Sequence, residues 1–128
     1  MQQELKELLN NAYAPYSNYQ VAAIIKMKDG KTFPGVNVEN ASYGATICAE
    51  RNAINSAISH GYKKGDFEVL YLMNSSNKIG FPCFICRQTF SEFFDLDMDV
   101  IMYTKDGQEQ KLKVKDLVIN PFTSDSLL

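Results

Sequence analysis

Two apolar runs, FEVLYLMN at residues 67–74 and MDVIMYT at 98–104, are separated by a segment that reads as a helix. Strands joined through a helix pair in parallel in the same sheet. No other feature constrains the fold of this chain as much. Around that pair the sequence predicts two hairpins. The buried run YQVAAIIKM (19–27) turns at Lys28-Asp29-Gly30-Lys31 into KTFPGVNVEN, roughly residues 31–40. Pro34 places this second strand at an edge or on a bulge. Asp106-Gly107 turns 98–104 into the polar strand QEQKLKV.

Helices fill the remaining segments. Leu5, Leu8, Leu9 and Ala12 follow amphipathic spacing, and Pro15 stops that helix. ASYGAT is expected to be a loop. A second helix runs from near Cys48 through His60, with Gly61 as its stop and His60 as a cap or surface residue. SSNKIGFP is a loop, and a third helix starts around Cys83 to Cys86 and runs through RQTFSEFF. VKDLV is a short helix, followed by a loose tail. The expected fold is a three-layer α/β/α domain with a mixed five-stranded sheet. With no linker visible, residues 1–128 are expected to form a single domain.

The 13 Lys and Arg against 15 Asp and Glu give a net charge of −2, with no basic cluster on one face. A polynucleotide needs compensating cations, so no nucleic-acid partner is expected. No run reaches the roughly 18 apolar residues of a membrane span, and MQQELKELLNNAY has no apolar stretch of secretory type. Three cysteines, an odd number, point to a reducing, cytoplasmic location where thiols bind metal or do chemistry.

All three cysteines lie in two short motifs, Cys48-Ala49-Glu50 and Pro82-Cys83-Phe84-Ile85-Cys86. A CxxC alone fits a redox pair and a structural zinc site equally well. A redox pair leaves the third cysteine and Glu50 unexplained. Three soft ligands leave one tetrahedral position open, as catalytic rather than structural zinc does. Cys48 and Cys86 both fall near predicted helix N-termini, where the dipole favours thiolate. Glu50 can reach the same cavity without entering the metal shell and carry a proton there. Zinc deaminases are known to carry His-or-Cys-x-Glu followed by Pro-Cys-x-x-Cys, with the glutamate not a ligand.

TICAERNAI and PCFICRQTFSEF resemble the zinc motifs of the small, homotetrameric cytidine deaminases, as do YAPYSNYQVAA and GVNVENASYGATICAE. The resemblance covers about residue 12 to Phe122, in the family's order. It implies that Cys48, Cys83 and Cys86 hold one Zn2+, with water or hydroxide as fourth ligand. Glu50 would shuttle protons to the pyrimidine N3 and the leaving amino group. The Pro82 carbonyl would accept from the amine, and the Ala49 N–H would bond the O2 side. Asn37 and Glu39 would hold the ribose hydroxyl, and Tyr19 stands where the family usually has a Phe packed on the base. Ala41, Tyr43 and Phe122 would reach a neighbouring subunit's site, which implies a homotetramer.

The residues agree with this implication in their own terms. Asn37 and Glu39 are i and i+2 at a strand end, hence on one face, and together they can donate to and accept from a hydroxyl. Zinc with three thiolates carries a net −1, so Arg51 and Arg87, which directly follow motif residues, are expected to donate to the sulfurs. Phe84, Ile85, Ala22 and Tyr19 depart from the family pattern at positions that bear on pocket shape. The implied activity is hydrolytic deamination of cytidine and deoxycytidine. A blasticidin-type aminonucleoside deaminase and a non-catalytic zinc-stabilised interaction domain are the competing readings.

Overall fold

The computed structural model describes residues 1–127. The hairpin turn at Asp29-Gly30 returns strand β1 (Val21–Met27) antiparallel to β2 (Thr32–Val36), with Ile24 opposite Pro34. β3 (Phe67–Asn74) pairs antiparallel with β1 and parallel with β4 (Asp99–Thr104), which turns at Asp106-Gly107 into β5 (Glu109–Lys113). The order β2-β1-β3-β4-β5 leaves β2 at an edge, where the missing N–H of Pro34 is harmless. The mixed five-stranded sheet and its one parallel pair agree with the sequence reading.

Helices cover both faces. Helix α1 (Gln2–Leu9) lays Leu5 and Leu9 over Ala22, Ile24, Met73 and Tyr103. Ala53, Ile54 and Ala57 of α2 (Ala49–Ser59), with Cys86 and Phe90 of α3 (Phe84–Phe93), bury the opposite face against Ile25, Leu70 and Val100. Each fully buried large side chain contributes about 1.5–3 kcal/mol. The short α4 (Val114–Leu117) adds Val114 and Leu117 to that layer.

The α2–β2 contact is made by backbone. A Cβ on Gly35 would lie 2.4 Å from the Ala49 carbonyl and 2.5 Å from the Ala53 nitrogen. Glycine therefore seats the first turn of α2 directly on the edge strand, which fixes where Cys48 and Glu50 enter the site.

Several boundaries differ from expectation. The first helix ends at Leu9, with Asn10 as its cap, well before Pro15. β1 starts at Val21, because the Tyr19 carbonyl and the Val21 N–H bond the Asn37 side chain instead of a neighbouring strand. β2 stops at Val36; beyond it Val38 makes single bridges to Tyr13 and Ile47. Within the expected loop, Tyr43–Ala45 forms a 3-10 turn, as does Ser124–Leu127 in the tail. His60 caps α2, its Nδ1 lying 2.7 Å from the Ser56 carbonyl.

Candidate metal centre and active site

Cys48 is the N-cap of α2 and Cys83 the N-cap of α3, while Cys86 sits in the first turn of α3 and is fully buried. Two helix starts 35 residues apart thus deliver three sulfurs within 4.8 Å of one another. The Cys48 and Cys83 sulfurs are 3.7 Å apart. With Zn–S bonds of about 2.3 Å, a tetrahedral site has S···S edges of about 3.8 Å. Donor type, number and spacing therefore fit zinc with one position left over. Among the described residues this is the one cluster of three or more potential ligands.

The thiols are already polarised. A hydrogen bond from the Cys86 thiol, then the Arg51 guanidinium, pull Cys48 down to about 5 against the opposing effect of burial. Cys86 is pushed well above the ordinary thiol range by donating that bond and by burial. Arg51 Nη2 donates to Cys48 Sγ at 3.6 Å, and the Cys86 N–H donates to Cys83 Sγ at 3.5 Å. Arg87, expected to donate to the sulfurs as well, turns away from them. Its Nε donates to the Pro82 carbonyl (2.8 Å), its Nη1 to the Leu117 carbonyl (3.4 Å), and its guanidinium covers the Phe84 ring at 4.6 Å. Stacking on Phe84 and two backbone acceptors occupy the guanidinium instead.

Beside the sulfurs lies a cavity of about 310 Å³, within the range of small-molecule sites. Cys48, Ala49, Glu50 and Cys83 form one wall, and Asn37 and Glu39 contribute to another. Tyr19, Val21, Leu72, Met73, Asn74, Gly80, Phe81 and Tyr103 complete it with Ser17 and Thr46. Glu50, the second residue of α2, is 5% exposed. Burial pushes its carboxyl up to about 7, and the neighbouring Cys48 charge adds to the rise.

Asn37 and Glu39 do share the cavity, but each is also tied to the chain. Asn37 Oδ1 accepts from the Val21 N–H (2.9 Å), and Nδ2 donates to the Tyr19 carbonyl (2.8 Å). Glu39 Oε1 accepts from the Tyr16 and Ser17 N–H groups at 2.9 and 3.0 Å, and Oε2 accepts from the Ser17 hydroxyl. The Ser17 hydroxyl, with the two N–H groups, holds the Glu39 carboxyl below its usual range. The result is an oriented, ionised carboxylate at the cavity wall.

Other expected site residues are not among those that line the cavity. Pro82 is buried, with its chain neighbours Phe81 and Cys83 on the cavity wall. Tyr43 is 79% exposed, edge-on to the Tyr16 ring at 6.4 Å, beside a separate depression that shares Glu39. Ala41 is exposed on the same loop. Phe122 is 58% exposed in a groove with Phe84 and Leu117, and its carbonyl accepts from Gln88 Nε2 at 2.6 Å. Sequence reasoning missed Ser17, Asn74, Gly80 and Tyr103. The Gly in the 75–82 loop was the signal available; nothing in the periodicity marked the other three.

The family description "cytidine and deoxycytidylate deaminase zinc-binding region" matches residues 1–104. The chain is 36% identical over 119 residues to the cytidine deaminase of Mycoplasma genitalium, covering 93% of this chain and 90% of that one. It is 38% identical over 116 residues to the cytidine deaminase of Halalkalibacterium halodurans, covering 91% and 86%. The crystal structure of cytidine deaminase from Burkholderia pseudomallei superposes with a TM-score of 0.89 at 38% identity, covering 94% of each chain.

Proposed function

The chain belongs to the cytidine and deoxycytidylate deaminase family, and on that premise we propose that it hydrolyses cytidine and deoxycytidine to the uridine counterparts and ammonia. The observation that carries this reading is the convergence of three sulfurs beside a buried carboxyl on the wall of one cavity. Cys48, Cys83 and Cys86 would hold the zinc. When bound, the ion would supply Lewis acidity toward a water. Arg51, donating to Cys48, offsets part of the thiolate charge.

Glu50 does the proton work. A carboxyl pushed up to about 7 populates both protonation states near neutrality, as a shuttle requires. It would take one proton from the water and give it to N3, then take the remaining proton from the hydroxyl added at C4 and give it to the departing amino group. The water oxygen ends on C4 and the amine leaves as ammonia, so atoms and charge balance. The Ala49 N–H, an orphan donor in the first turn of α2, holds the O2 side. The Pro82 carbonyl accepts from the amine through the lone pair Arg87 leaves unused.

Asn37 and Glu39 take the ribose hydroxyl, and Tyr19 packs on the base. The ionised Glu39 repels a phosphate, which favours nucleosides over nucleotides. Residues 1–128 act as one cytoplasmic domain. We also propose a homotetramer in which Ala41, Tyr43 and Phe122 reach neighbouring cavities; the exposure of Tyr43 and Phe122 supports this.

Ammonia release by purified protein, with zinc quantified on the same sample, tests the reading. Cytidine and deoxycytidine should both react; cytosine, the 5′-monophosphate and blasticidin S should not. Zinc without turnover of any of them would leave a non-catalytic domain, and preferred turnover of blasticidin S would reassign the site.

A further inference from the structure

At Gly80 the chain passes so close to the cavity wall that a Cβ would lie 2.3 Å from the Tyr19 hydroxyl and 2.8 Å from Asn74 Nδ2. Gly80 is not among the glycines with positive φ, so its backbone places no demand for glycine; only the missing side chain does. Both distances are shorter than a real Cβ contact, the one to the Tyr19 hydroxyl by more, so with a side chain there both neighbours would be displaced.

The two neighbours differ in freedom. Asn74 is 3% exposed, donates to the Lys78 carbonyl (3.0 Å), and accepts from the Ser76 N–H and hydroxyl, both at 2.8 Å. It pins the 75–82 loop that delivers Cys83. Tyr19 is held only by its backbone, through the Ser17 hydroxyl (3.0 Å) and Asn37 Nδ2 (2.8 Å). Its own hydroxyl makes no hydrogen bond among the described residues, and the ring borders the cavity. Tyr19 is therefore the group that yields further, and because its ring lines the cavity, its displacement changes the cavity wall.

We propose that Gly80 is a positioning residue: by lacking a side chain it seats the Tyr19 hydroxyl and holds that ring back from the space the pyrimidine takes. The inference rests on the nucleoside reading above.

Three variants test it: Gly80→Ala, Tyr19→Phe and the double change. Gly80→Ala should keep one zinc per chain and a melting midpoint within a few degrees. Its KM for cytidine should rise about tenfold while kcat stays within about threefold. Adding Tyr19→Phe removes the clashing oxygen and should return KM to the Tyr19→Phe value. An unchanged KM in Gly80→Ala, or no rescue in the double variant, overturns the proposal. So does zinc loss in Gly80→Ala, which would mean that Asn74 and its loop had moved instead. A crystal structure of Gly80→Ala decides independently of substrate. A displaced Tyr19 ring supports the proposal even if wild type turns over no cytosine nucleoside, and an unmoved ring ends it.

Discussion

Glu50 is a carboxylate that the fold works against: burial disfavours its charge, and Cys48 beside it does the same. Glu50→Gln should therefore keep the fold and one zinc per chain. It should lose turnover by at least about 10²–10⁴-fold, since the proposed mechanism passes two protons through this group. A rate within tenfold of wild type would remove Glu50 from the mechanism. Far from the site, Asp29 accepts from the Tyr62 hydroxyl at 2.6 Å and from the Lys31 N–H at 3.0 Å. The Tyr62 bond, then the Lys31 N–H, hold Asp29 below its ordinary value of 3.8. The stabilisation is thus present above that value and is lost as pH falls through the lowered one. The melting-temperature gap between wild type and Tyr62→Phe should close on acidification; a gap that widens would contradict this. At this scale the sequence was legible where chemistry is local. Cys48, Glu50, Cys83 and Cys86 could be read because their types and spacing are specific. Arg87 could not, because its choice between sulfur and the Pro82 and Leu117 carbonyls depends on a fold the motif does not contain.

Strands β3 and β4 were readable because each is a buried apolar run, and their parallel pairing followed from the helix between them. Residues 37–40 were not. They continue an extended, alternating pattern, but their partners are Tyr13 and Ile47, single bridges from distant loops. Gly35 was equally silent in the sequence, since the reason for it is the Ala49 carbonyl across the interface. Gly35→Ala should destabilise the protein by about 1–3 kcal/mol, the usual cost of overpacking. Because α2 carries Cys48 and Glu50, the same change should lower kcat. Denaturant titration and turnover on one preparation check both, and an unchanged midpoint would mean that α2 rides on β2 more loosely than the contact indicates.

In the whole molecule the proposed zinc ligands would join two helix starts: α2 lies on β1 and β2, and α3 starts from the 75–82 loop. Metal binding should accordingly be folding energy. At free zinc about 100–1,000 times Kd, linkage adds about 2.7–4.1 kcal/mol. Chelation should lower the melting midpoint, and Cys83→Ala should abolish the zinc-dependent part of it; a midpoint indifferent to zinc would sink the ligand assignment. The two helix starts carry a last consequence. Serine, threonine, aspartate and asparagine are the usual N-caps because their oxygens accept from the first-turn amides. Here cysteines stand in both places; Cys48 caps nothing with its side chain, and Cys83 Sγ takes only the long bond from Cys86. With zinc bound by the proposed ligands, the opening turns of α2 and α3 would be tethered through the metal and would behave as one latch. Stripping zinc should make their amide protons exchange with solvent together, while the central amides of β1 and β3 stay protected.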